Sequence, residues 1–149
     1  MPQEQPVIAE VFAVTQLQLN EVEAAVALWE EAGLIRPWDD APADARRALN
    51  SPASTVLAGR LNGRLVATTM IGFDGHRGWI YYLAVANDCR RQGFGKTMME
   101  HSERWLSVRG APRVNLMVRG DNLAVIGFYR ALDYTQGDVI VLSRQMIDV

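Results

Sequence analysis

The chain is poor in the residues that build cross-linked or metal-centred proteins. It has one cysteine, Cys89, and two histidines, His76 and His101, among 149 residues. A single thiol excludes an internal disulfide framework and a multi-cysteine metal cluster, and no metal is expected. Long hydrophobic runs are missing: none approaches the roughly 20 residues that a membrane-spanning helix needs. Charge of one sign is not in excess either. The formal net charge of −2 gives no general attraction to nucleic acid or to an anionic membrane, so neither partner is expected. There is no internal repeat, no low-complexity tract and no Pro/Gly-rich linker. The N-terminus, MPQEQPVIAE, lacks the basic-then-apolar order of a signal peptide, so a cytoplasmic location is expected. What is present is 49% hydrophobic and 21% charged, the balance of a globular protein. Residues 1–149 fit one domain with its own core.

Periodicity divides the chain. Val7 to Val14 reads as a strand. From Asn20 the apolar residues Val22, Ala25/Val26 and Trp29 recur at helical spacing, with Asn20 as cap and Gly33 as stop. The breakers Pro37 and Pro42 follow, around Trp38-Asp39-Asp40, then a short helix over Ala43 to Leu49. Thr55 to Leu61 and Arg64 to Phe73 form a hairpin about Asn62-Gly63. After the turn Asp74–Gly78, Trp79 to Ala86 is a strand. A helix runs from Gly95 to Gly110, and Arg113 to Val118 is another strand. A helix opening at Asp121 or Asn122 carries Leu123, Ile126, Tyr129 and Leu132. A last strand is expected over Val139 to Met146. Early hairpins imply antiparallel pairs, and the strand–helix–strand unit from Trp79 to Val118 implies one parallel pair. The fold class is α/β (α+β), with a mixed sheet covered by helices.

The chain is organised around Trp79 to Lys96, WIYYLAVANDCRRQGFGK. A strand feeds a glycine-containing turn at a helix start. Backbone N–H groups there have no intrahelical acceptor, the helix dipole is positive, and glycine lets a phosphate come close. A Rossmann site fails on spacing, because Met98 stands where the third glycine or alanine belongs. A P-loop fails for want of Gly-Lys-Ser/Thr.

Leu83-Ala84-Val85 followed by Arg90-x-x-Gly93-x-Gly95 resembles the acetyl-CoA pyrophosphate motif of the GNAT superfamily of N-acetyltransferases. Asn122-Leu-Ala124-Val-Ile-Gly-Phe128-Tyr129 resembles that family's second signature, Asn-x-x-Ala-x-x-x-Tyr. Arg36-Pro37-Trp38-Asp39 and Asp74–Gly78 resemble a small single-domain bacterial subgroup. The resemblance implies a sheet that splays at the acetyl-CoA site after a bulge in the strand before the motif, with helices on both faces. It implies transfer of acetyl from acetyl-CoA to a primary amine by direct attack in a ternary complex. The acceptor is expected to be a small molecule or an amino-acid derivative. A protein N-terminal or lysine amine, or a catalytically silent acetyl-CoA-binding domain, are the alternatives.

The resemblance also implies roles. The cofactor falls to Leu83, Ala84, Val85, Arg90, Arg91, Gln92, Gly93, Phe94, Gly95, Lys96, Asn122 and Tyr129. The pyrophosphate takes the backbone N–H groups of Arg91 to Lys96, and Val85 N–H points at the thioester carbonyl. Tyr129 donates to the departing thiolate. Where many relatives carry a glutamate base stands Met117, which directs attention to a water-mediated base near Tyr81, Tyr82, Asn115, Asp39 or Asp40, or to entry of an amine already neutral. Trp38, Asp39, Tyr81 and Tyr82 are expected at the acceptor, with only one of the two tyrosines lining the cleft, because a strand alternates its faces. Cys89 is expected to be a bystander whose pKa the basic motif lowers. A monomer or a homodimer is expected.

Overall fold

The computed structural model describes residues 10–147. The elements run β1 (Phe12–Gln16), α1 (Val22–Glu31), α2 (Ala41–Asn50), β2 (Ser54–Leu61), β3 (Arg64–Phe73), β4 (Gly78–Val85), α3 (Phe94–Val108), β5 (Val114–Leu116) and α4 (Leu123–Ala131). One sheet holds the strands in the order β1-β2-β3-β4-β5. All pairs are antiparallel except β4–β5.

Strand alternation sorts two cores. Val56, Ala58 and Val66 face α1 and α2, around Trp29, Ala25 and Ala45. Leu57, Ala67 and Ile71 face Met98, Met99 and Leu106 of α3. Phe128 and Tyr129 of α4 pack on that second side. So helices cover both faces, as the sequence pattern predicts. Helix α3 lies close to the sheet because two strand residues lack a side chain. A Cβ on Gly78 would stand 2.7 Å from Leu106 Cδ1, and one on Gly59 would stand 2.5 Å from Phe12 Cζ and 2.9 Å from Met98 Sδ.

Local signals explain most ends. Asn62 and Gly63 both have positive φ (50° and 86°), the hairpin geometry that Asn-Gly favours. Gly33, at φ 70°, closes α1. Asp40 caps α2 through Ala43 N–H at 3.2 Å, and Pro42 sits at the helix start where its missing N–H costs nothing. The helix is longer than the span Ala43 to Leu49 because of that cap.

Three expectations are corrected. The first strand is Phe12–Gln16 rather than Val7 to Val14; residues 7–9 lie outside the described part. Asn20 is no cap: it sits inside a 3₁₀ turn (Leu19–Glu21), and Gln18 with Glu21 forms a capping box there. The last strand is absent: residues 139–146 carry no strand. Strand propensity needs a partner ladder, and among the described residues no strand pairs with that segment.

Candidate active site

The site begins with a bulge in β4. Thr68 pairs with Ala84 and Met70 with Tyr81, so Tyr82 and Leu83 together oppose Thr69. Tyr82 takes φ 50°, a left-handed conformation unusual for a large side chain. The extra residue resets the alternation. Ile80 belongs to the α3 core, whereas Tyr82, Ala84 and Ala86 belong to the α1–α2 core. Tyr81, adjacent to Ile80, therefore faces the same side as Tyr82. Both tyrosines line one cleft, which corrects the expectation that only one does. Regular alternation fails at the bulge.

Next to the bulge the sheet opens. β4 and β5 pair only over Gly78–Ile80 and Val114–Leu116, so β4 beyond Ile80 has a free edge. The N–H of Ala86 donates to Val66 C=O at 2.8 Å. That makes Val66–Ala86 a bonded pair, and Ala67–Val85 is then the non-bonded kind. The N–H and C=O of Val85 thus turn toward the open edge. The carbonyl meets Arg90 Nε at 3.5 Å. Leu83, two residues away, shares that orientation.

The loop after β4 ends at the N-terminus of α3. Arg91 (φ 64°) and Gly93 (φ 80°) are both left-handed. Gly93 is the N-cap and offers no side-chain acceptor, so the first-turn N–H groups of Phe94, Gly95 and Lys96 point outward. A Cβ on Gly93 would find no atom within 4 Å, which leaves room at the mouth of the nest. Arg90, Arg91, Gln92 and Lys96 are exposed around it. Asp88, just upstream, is matched by Arg64 at 2.8 and 3.1 Å. Phe94 anchors the turn by stacking on Phe12, with centroids 4.2 Å apart. Gly95 lies under Phe128, where a Cβ would come within 3.3 Å of the ring. These features fit a pyrophosphate: donors, positive charge, and no bulk in the way.

The cleft between the splayed strands has a volume of about 900 Å³. Tyr81, Tyr82, Leu83, Met117, Asn122, Tyr129, Asp39 and Asp44 line it, and Val141 reaches its edge. Asn122 caps α4 through Val125 N–H at 3.3 Å. Burial pushes the Tyr129 hydroxyl up to about 12. Burial also pushes Tyr82 up, helped by Asp39 and Asp44, and Tyr81 up, helped by Asp74.

Other residues stand elsewhere. Trp38 is 61% exposed and does not line the cleft, whereas its neighbour Asp39 does. Asp39 accepts from Arg36 N–H at 2.9 Å. Asn115 and Asp40 do not line it either. The Cys89 thiol is pushed up, not down: it is buried and donates toward Asp88 at 3.5 Å. Asp44 escaped the sequence reading. It accepts from Tyr82 Oη at 3.1 Å and from Arg47 at 2.5 Å. No local pattern marks it, because only the packing of α2 against the bulge brings it in.

The comparisons agree with this geometry. A sequence model of the acetyltransferase (GNAT) family matches residues 21–134. An acetyltransferase of Yersinia pestis (strain Pestoides F) is 43% identical over 130 residues, 87% of this chain and 92% of that protein. One from Pectobacterium atrosepticum is 42% identical over 129 residues, again 87% and 92%. Among solved structures, an aminoglycoside N-acetyltransferase in complex with CoA superposes with TM-score 0.80 at 14% identity, over 96% of this chain and 100% of that one. A Clostridium acetobutylicum predicted acetyltransferase with acetyl-CoA gives TM-score 0.74 at 13% identity, over 90% and 96%. The chain belongs to the acetyltransferase (GNAT) family.

Proposed function

We propose that this chain acetylates the primary amine of a small molecule or amino-acid derivative, which attacks directly with both substrates bound. One observation carries the reading. β4 has a free edge beyond Ile80, and Leu83 on that edge lines the same cleft as Tyr129, Asp39 and Asp44.

The residues divide the work. Backbone N–H groups from Arg91 to Lys96 hold the pyrophosphate, with charge from Arg90, Arg91 and Lys96. The edge groups of Leu83 and Val85 orient the pantetheine arm beside Ala84 and Asn122. Val85 N–H donates to the acyl carbonyl oxygen as charge develops there. Acetyl-CoA supplies the acetyl group already activated as a thioester. Tyr129 Oη donates a hydrogen bond to the leaving sulfur.

Asp39 and Asp44 draw a cationic amine, and Tyr81 and Tyr82 offer ring faces to it. Met117 cannot take the amine's proton. The raised tyrosines are donors rather than bases at neutral pH. The proton leaves through an ordered water on Asp39 or Asp44, or is already gone when the amine enters neutral. Solved structures of this fold are named as aminoglycoside acetyltransferases, which supports a small acceptor.

The test is thiol release from acetyl-CoA against a panel of aminoglycosides, polyamines, amino-acid amides and peptides with free α- or ε-amines. Turnover of the small amines is expected. Preference for the peptides would move the acceptor to protein. CoA binding without any turnover would make the domain silent.

A further inference from the structure

Tyr82 stands at the bulge, where the β3–β4 register shifts, and its carbonyl accepts from a side chain. Thr68 Oγ1 donates to Tyr82 C=O at 2.9 Å, and Trp29 Nε1 donates to the same Oγ1 at 2.7 Å. The direction of both bonds is fixed by chemistry. An indole N–H can only donate, so Thr68 accepts from it, and the threonine proton must go to the carbonyl. Thr68 and Trp29 are fully buried, so water cannot replace either bond. The Trp29 ring lies flat on the Tyr82 ring, 4.0 Å between centroids and 9° between planes. Asp44 holds the far end of the same tyrosine through its hydroxyl at 3.1 Å. Tyr82 is therefore gripped at carbonyl, ring and hydroxyl, in a backbone conformation that costs of order 1–3 kcal/mol to maintain.

We propose that Thr68, backed by Trp29, is a positioning residue for acyl transfer: its hydroxyl pins the left-handed Tyr82 and so turns the backbone groups of Leu83 and Val85 toward the open edge of β4. The inference rests on the reading above, in which the Leu83–Val85 edge receives the pantetheine arm. Tyr82 sets the phase of everything after it. If it relaxes to an extended conformation, β4 regains its regular pairing with β3 and the next residues exchange edges. The pyrophosphate cradle, by contrast, is anchored by α3 and Phe94 and lies beyond the grip of Thr68.

The test separates the arm from the phosphates. Affinities are measured by titration calorimetry for CoA and for 3′-phospho-ADP, the fragment that ends at the pyrophosphate. Thr68→Val keeps the shape and removes the hydroxyl. It should weaken CoA about tenfold and leave 3′-phospho-ADP within twofold, and Thr68→Ser should restore CoA. Trp29→Phe keeps a ring on Tyr82 and removes one donor. It should weaken CoA about threefold with the same selectivity, and it carries the test should Thr68→Val not fold. Unchanged CoA affinity in these variants overturns the proposal, as does an equal loss for both ligands or a serine variant no better than valine. Equal affinity of the unaltered protein for CoA and 3′-phospho-ADP would instead remove the underlying role of Leu83–Val85, and the proposal with it.

Discussion

Tyr129 is the residue whose chemistry is most constrained by its surroundings. Burial alone holds its phenol near 12, whereas a free thiol titrates near ~8.5. Full proton transfer to the sulfur is therefore uphill, and the phenol acts by hydrogen bonding to charge as it develops. Tyr129→Phe should lower kcat by about 10²-fold while the Kd for acetyl-CoA stays within twofold, read by steady-state rates beside calorimetry. The pH profile follows from the same value. The donor form is lost only as pH rises through about 12, so kcat/KM should climb as the acceptor amine deprotonates and then stay flat to about pH 11. A descending limb near pH 9 would assign the acid to another group. Asn122 shows how one residue serves twice: its side chain caps α4, and the same cap lines the cleft.

At the scale of elements, α3 is held in place by what two strand residues lack. Leu106 is fully buried, so its methyl groups cannot swing away from a Cβ on Gly78. Gly78→Ala should cost about 1–3 kcal/mol and lower Tm by roughly 3–9 °C, read by calorimetry. Gly93→Val acts on the ligand rather than on the packing. Nothing crowds its Cβ, so the fold survives with a penalty of about 1–2 kcal/mol for the left-handed backbone. The branch would stand in the phosphate nest, and CoA Kd should rise by at least about 100-fold, ~2.7 kcal/mol. Retained binding would refute the nest. Elements with local punctuation were legible in advance. Asn62-Gly63, Gly33 and the glycines after Arg91 each dictate backbone shape from their own chemistry, whereas Pro42, expected as a breaker, stands inside the first turn of α2. The bulge was not legible from its own residues. An aromatic residue has no preference for φ 50°, and Tyr82 adopts it because Trp29, Thr68 and Asp44 meet it from far along the chain. The acceptor side of the cleft inherits that opacity, since Tyr81 and Asp44 enter it only through the bulge. Trp38 illustrates the converse: an aromatic beside two aspartates looked like a binding wall, yet it lies on the surface while Asp39 turns inward.

At the scale of the molecule, two features are unfinished. β5 is bonded to β4 along one edge only, which leaves a row of backbone donors and acceptors open. The segment after Tyr134 carries Val139, Ile140, Val141 and Leu142, between 61% and 87% exposed. Four consecutive apolar residues of strand-forming type, exposed and without a ladder among the described residues, stand to gain from pairing with such an edge. Every copy of the chain offers both the strand and the edge, so two copies can satisfy each other by a closed, reciprocal exchange. The expected outcome is a dimer at micromolar concentration in size-exclusion chromatography with light scattering. Ile140→Lys with Leu142→Lys should convert it to a monomer and lower Tm, because the charges break a buried pairing. The same pair should leave 3′-phospho-ADP binding unchanged, because the nest at Gly93 belongs to α3 and not to this edge. A monomeric unaltered protein, with Tm indifferent to the two lysines, would mean that the run stays in solvent as it stands and that the edge of β5 is left open.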